Sequence, residues 1–124
     1  MSNDLNMDFF FPELSEDGGN VPVPPEEMRF LELRAEPVRD DGPLRTRVYL
    51  EVTPFRKRPH IDVALTNADG LEIASANIIE PMQRKNVITL HLRGSQQSGA
   101  FTLRARLYYP DGPECDTAEY HFVI

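Results

Sequence analysis

Residues 100–109 read Ala-Phe-Thr-Leu-Arg-Ala-Arg-Leu-Tyr-Tyr. Phe101, Leu103, Ala105 and Leu107 alternate with Thr102, Arg104, Arg106 and Tyr108, a period of two that turns one set toward a core and the other toward water. Pro110-Asp111-Gly112-Pro113 then breaks the chain. The same alternation resumes over 117–124, with Ala118, Tyr120, Phe122 and Ile124 as the inward set. This is a pair of strands with a turn between them.

Working outward, five more strands follow from the same pattern. A strand near 28–36 points Leu31, Leu33 and Ala35 inward, and one near 45–53 does so with Val48, Leu50 and Val52. Between them, Asp40-Asp41-Gly42-Pro43 is a turn. The strand near 60–67 buries Ile61, Val63 and Leu65, and Asp69-Gly70 predicts a tight primed hairpin turn into a weaker strand near 71–79. Glu80-Pro81 interrupts that strand, and another over 86–93 sends Ile88, Leu90 and Leu92 inward before the Gly94–Gly99 turn. Seven short strands with no helix between them predict an all-β, two-sheet antiparallel sandwich. A barrel or jelly roll is the alternative closure. In this pattern, residues 28–124 resemble the immunoglobulin-like and fibronectin-type sandwiches, although the chain has no Trp and no Cys pair. A fold so widely shared implies little about function.

Charge divides the chain at Met28. Residues 1–27 hold Asp4, Asp8, Glu13, Glu16, Asp17, Glu26 and Glu27 with no Lys or Arg. The remaining 13 acids balance all 13 bases, so the formal net charge of −7 belongs to the tail. The expected organisation is a flexible acidic extension over 1–27 and a sandwich domain over 28–124. Within the extension, Glu13–Asn20 is polar and Gly-bearing, and Val21-Pro22-Val23-Pro24-Pro25 favours a stiff polyproline lead-in. There is no apolar run long enough for a membrane-spanning helix and no secretory pattern at the N-terminus. The single cysteine, Cys115, fits a reducing compartment, and a cytoplasmic location is expected.

Catalytic chemistry finds little to work with. His60, His91 and His121 all fall out of phase with inward residues, and ligands that diverge do not make a metal site. Ser75, Ser95 and Ser98 lack a nucleophile elbow, and Glu114 and Asp116 should raise the Cys115 thiol pKa. The Asp-Gly turns supply too few oxygens for calcium, and Gly94–Gly99 lacks the Lys of a phosphate loop. No cofactor is expected, and no enzyme.

Binding is better supplied. Phe9, Phe10 and Phe11 sit among acids, as in a short recognition segment whose rings anchor in a partner's groove, or which fold back on the body. In an up-and-down strand order, the loops carrying Arg56, Lys57, Arg58, Arg84 and Lys85 share one end, and the first strand begins there. The acidic tail therefore leaves from a basic end. If strands three, six and seven are neighbours, Asp62, Arg104, Arg106 and Glu119 form a ladder of ion pairs on one outer face. Phe30 and Tyr49 are expected exposed on the other sheet. The reading is a non-enzymatic protein-interaction module, monomeric or weakly dimeric through edge strands, with no nucleic-acid or membrane partner. A carbohydrate-binding sandwich is the alternative, with Phe30, Tyr49 and Tyr108 as the rings available to stack on sugars.

Overall fold

The computed structural model describes residues 21–93 and 98–124. After a 3-10 turn at Pro25–Glu27 come β1 (Phe30–Pro37), β2 (Arg45–Val52), β3 (His60–Asn67) and β4 (Glu72–Ile79). They are followed by β5 (Lys85–His91), β6 (Ala100–Tyr108) and β7 (Glu114–Val123). One sheet runs β1-β2-β5 and the other β4-β3-β6-β7, with every pair antiparallel. This is the all-β, seven-strand, two-sheet architecture that the alternation predicts.

The core lies between the sheets. Val48, Leu50, Val52, Ala35 and Leu90 face Ile61, Val63, Leu65, Phe101, Leu103, Ala105 and Leu107. Each of these positions was assigned inward by its period-two place in the sequence, and burying side chains of this kind contributes about 1.5–3 kcal/mol each for the larger ones. Thr46 occupies an inward place on β2 and is fully buried, with no partner for its hydroxyl among the described residues.

Three local expectations fail, each for a backbone reason. The first concerns β1, whose pairing with β2 shifts between Phe30 and Glu32, so that Phe30 lies opposite Val52 and Glu32 opposite Glu51. The bulge reverses the facing of what precedes it: Phe30 packs against the core and Leu31 is exposed. The expected exposed Phe30–Tyr49 patch does not form. The second is the β3–β4 turn, where only Gly70 of the Asp69-Gly70 pair has positive φ, at 81°. A type I′ turn needs both, and a type II′ turn needs it at the first of the pair. Instead Asn67 organises a longer loop, its Oδ1 accepting from the backbone N–H of Asp69 and Leu71 at 3.0 Å each. The third is the start of the last strand, expected at 117, which lies at Glu114 and so takes Cys115 into β7.

One end of the sandwich is closed by residues ahead of β1. Met28 is 0% exposed, and Val23 makes an isolated parallel bridge to Phe55, with its N–H donating to Pro54 at 2.9 Å. The seam between β1 and β7 is tied at the same end. Phe30 N–H donates to Asp116 Oδ2 at 2.9 Å, and the Arg29 guanidinium donates to the Cys115 carbonyl at 3.3 Å.

Candidate interaction surface

The expected convergence of loops occurs. Glu80 N–H donates to the Pro59 carbonyl at 3.1 Å, joining the β4–β5 and β2–β3 connections. The Tyr109 hydroxyl donates to the Lys57 carbonyl at 2.7 Å, adding the β6–β7 connection, and Val52 N–H donates to Arg84 at 2.9 Å. Arg56, Lys57 and Arg58 are exposed on this end, and Arg84 and Lys85 stand at the start of β5. The five bases therefore do share an end.

They are not equally committed. Arg84 lies 3.9 Å from Glu51, and Lys85 is the register partner of that same Glu51. Arg58 lies 3.8 Å from Glu80, and the Lys57 ammonium sits 5.9 Å from the Tyr109 ring centre. The Arg56 side chain has no ion-pair or hydrogen-bond partner among the described residues, while its backbone N–H donates to the Val23 carbonyl at 3.3 Å. That last bond puts the lead-in against the basic segment itself. Phe9, Phe10 and Phe11, and the Glu13–Asn20 stretch, lie outside the described residues.

Sequence reasoning missed the apolar part of this end. Ile79 is 67% exposed and Met82 is 79% exposed, and the Arg58 guanidinium contacts the Met82 sulfur. Ile79 pairs with His60, whose ring meets that of Tyr108 edge-on at 5.6 Å. Between Ile79 and Met82, Glu80 has φ of 49°, the left-handed region that non-glycine residues avoid and that a following Pro disfavours further. Pro81 is buried beneath. A strained residue thus anchors the loop while its two apolar neighbours point outward.

The outer face of the four-stranded sheet is arranged differently. Arg104 holds Glu119 through Nε at 2.8 Å and Nη2 at 2.6 Å, as the assumed strand order implies. Arg106 reaches Asp62 at 2.9 Å and Glu114 at 3.1 Å, and its guanidinium lies 3.9 Å over the Tyr108 ring. Asp62 also accepts from Asn77 and from the Tyr108 hydroxyl. Burial pushes the Asp62 carboxyl up, but the bonds from Arg106, Asn77 and Tyr108 outweigh it and hold the group below the usual carboxylate range. A shallow depression of about 370 Å³ lies here over Ala64, walled by Ser75 and Asn77 on one side and Arg104 and Arg106 on the other.

The remaining titratable groups play structural parts. Burial, together with Asp116, Glu26 and Glu114, pushes the Cys115 thiol up despite the opposing charge of Arg29. Its raised direction matches the expectation, with burial rather than the flanking acids as the main cause. Burial likewise pushes Tyr109 up to about 12. His121 lies 3.5 Å from Glu119, on the sheet opposite that of His91. Among the described residues, no three His, Cys, Asp or Glu gather as a metal site, and no helix is long and apolar enough to cross a membrane.

No protein-family model matches the chain, and no curated protein matches it in sequence. Among solved structures it is similar to part of a glycosyl hydrolase family 2 member from Bacteroides cellulosilyticus, with a TM-score of 0.60 and 12% identity. It is also similar to part of a Lactobacillus rhamnosus β-glucuronidase, with a TM-score of 0.56 and 16% identity. These matches cover 79% and 80% of this chain but only 14% and 16% of those proteins. At such identity the likeness is one of fold.

Proposed function

We propose that this chain is an immunoglobulin-like sandwich of the fibronectin type, acting as a non-enzymatic binding module through its loop end. The fold assignment is supported by strand order: β4 pairs with β3, whereas the constant-type antibody sheet places its fourth strand beside the fifth. The observation that carries the functional reading is the coincidence of Arg56, free of any side-chain partner among the described residues, with exposed Ile79 and Met82. Mixed apolar and cationic surface of this kind suits an acidic peptide bearing aromatic side chains. The reading has the chain cytoplasmic, monomeric or weakly dimeric through an edge strand, with no nucleic-acid or membrane partner. Selection of displayed random peptides on the full chain tests it. Enriched sequences should combine acids with aromatics and lose binding to an Arg56→Glu/Lys57→Glu variant. Ligands that bind that variant equally well would overturn the reading.

A carbohydrate reading is favoured by one observation, the depression over Ala64 flanked by Asn77, Arg104 and Arg106, and by the glycosyl hydrolase names of the structural neighbours. The stacking rings it called for are otherwise engaged. Phe30 is turned inward, the Arg34 guanidinium lies 3.9 Å over Tyr49, and Arg106 covers Tyr108. A glycan array probed with the full chain and with Asp62→Ala separates the two: sugar binding lost in that variant would favour the depression over the loop end.

A further inference from the structure

We infer that the loop-end patch is occupied by the chain's own segment Asp8-Phe9-Phe10-Phe11-Pro12-Glu13-Leu14, an inference that rests on the reading of this end as a binding surface. Four observations converge on that occupant. The first is the tether. Val23 is bridged to Phe55 and bonded to Arg56, so residue 21 emerges beside the cations of the β2–β3 connection. The second is reach: the ten residues from Phe11 to Val21 span up to about 35 Å when extended, ample for a surface that begins at the tether. The patch lies close by, since Arg58, two residues past Arg56, touches both Met82 and Glu80.

The third observation is charge. Residues 1–20 carry Asp4, Asp8, Glu13, Glu16 and Asp17 and no base. The patch offers Arg56, Lys57 and Arg58, only one of which has an acidic partner within the described residues. Tethering raises the effective concentration of such a segment to the millimolar range, so a weak contact suffices to keep it in place. The fourth is the strained loop. Glu80 is held at φ 49°, which costs free energy, and Ile79 and Met82 on either side of Glu80-Pro81 are exposed, where apolar side chains gain only if something covers them. Three consecutive Phe rings are the chain's largest apolar group outside the described core. A partner that presents acids and aromatics of its own would then have to displace this segment.

The test uses the full chain with labelled methyl groups on Ile and Met. Methyls lying over aromatic rings resonate upfield, so those of Met82 and Ile79 should move downfield in a Phe9→Ala/Phe10→Ala/Phe11→Ala variant. The methyls of the core should stay in place. The difference should be independent of protein concentration and shrink on raising salt to about 0.5 M, where the Debye length falls to roughly 4 Å. Identical Met82 and Ile79 methyl positions in both chains would overturn the inference, as would a difference that appears only on concentrating the protein, which assigns the contact to a second copy. A synthetic peptide of residues 4–17 added to the variant separates this failure from a wider one. If it shifts those methyls although the native chain shows no contact, the surface binds such peptides but its own segment does not hold it. If it shifts nothing in either case, the loop-end reading falls as well.

Discussion

The two ends of this molecule's charge distribution are organised in opposite ways. On the outer face of the four-stranded sheet, Arg104, Arg106, Asp62 and Glu119 sit in register and satisfy one another, and Tyr108 lies under a guanidinium. At the loop end, Arg56 has no side-chain partner among the described residues, Lys57 leans on a ring, and Ile79 and Met82 face outward. A ligand approaching the sheet face must break pairs already made. One approaching the loop end finds charge and apolar surface that gain from being covered. Abundance of charge marks neither region as functional; whether the charge is already spoken for does.

The contrast can be broken most forcefully through Met28, which closes the loop end from beneath at 0% exposure. Met28→Ala should cost about 2–4 kcal/mol, read from the urea midpoint, because it opens a cavity between the lead-in and β2. A cost below about 1 kcal/mol would mean that this end is not a packed part of the fold. On the paired face, Asp62→Ala should cost about 1–2 kcal/mol, as it strips Arg106, Asn77 and Tyr108 of a common acceptor.

The same carboxyl makes that face acid-sensitive. Asp62 is held below its ordinary range when folded and returns to about 3.9 when unfolded, so its contribution is present above that value and is lost as pH falls below it. Stability should therefore decline below about pH 4, and the decline should be shallower in Asp62→Asn. An unchanged slope would show that Glu119 and Asp40, both also held low by arginine partners, carry the effect instead.

Smaller effects sharpen the loop end. Glu80→Asn should stabilise by about 0.5 kcal/mol, since Asn tolerates the left-handed region and the Arg58 pair it gives up is exposed. Arg56→Ala should change stability by less than about 0.5 kcal/mol, because the guanidinium holds nothing within the described fold. A larger loss would mean that Arg56 is structural.

What the sequence revealed and what it concealed divide along the same physical line. β3 could be read with its bounds intact because Ile61, Val63 and Leu65 alternate without interruption. The pairing of Asp62 with Arg106 and of Arg104 with Glu119 followed once the strand order was assumed, since register fixes which outward residues meet. The facing of Phe30 was hidden because a single bulge inverts it, and nothing in Arg29-Phe30-Leu31 announces one. The bases of the loop end were visible as a run, but Ile79 and Met82 were not. They flank Glu80-Pro81, whose left-handed Glu80 read only as a strand breaker. Likewise the Val23–Phe55 bridge joins two segments with no periodic pattern, one of them Pro-rich, so only the folded chain brings them together.

The decisive question is whether the acidic aromatic segment lies at the loop end or across the sheet. A nitroxide at position 15, introduced by Ser15→Cys in a Cys115→Ser background, reports this through the broadening of amide signals in the full chain. Strong broadening is expected at Arg56–Arg58 and Ile79–Met82, with Asp62, Arg104 and Glu119 unaffected. Broadening centred on that sheet face, or spread evenly and weakly over the molecule, would contradict the loop-end position.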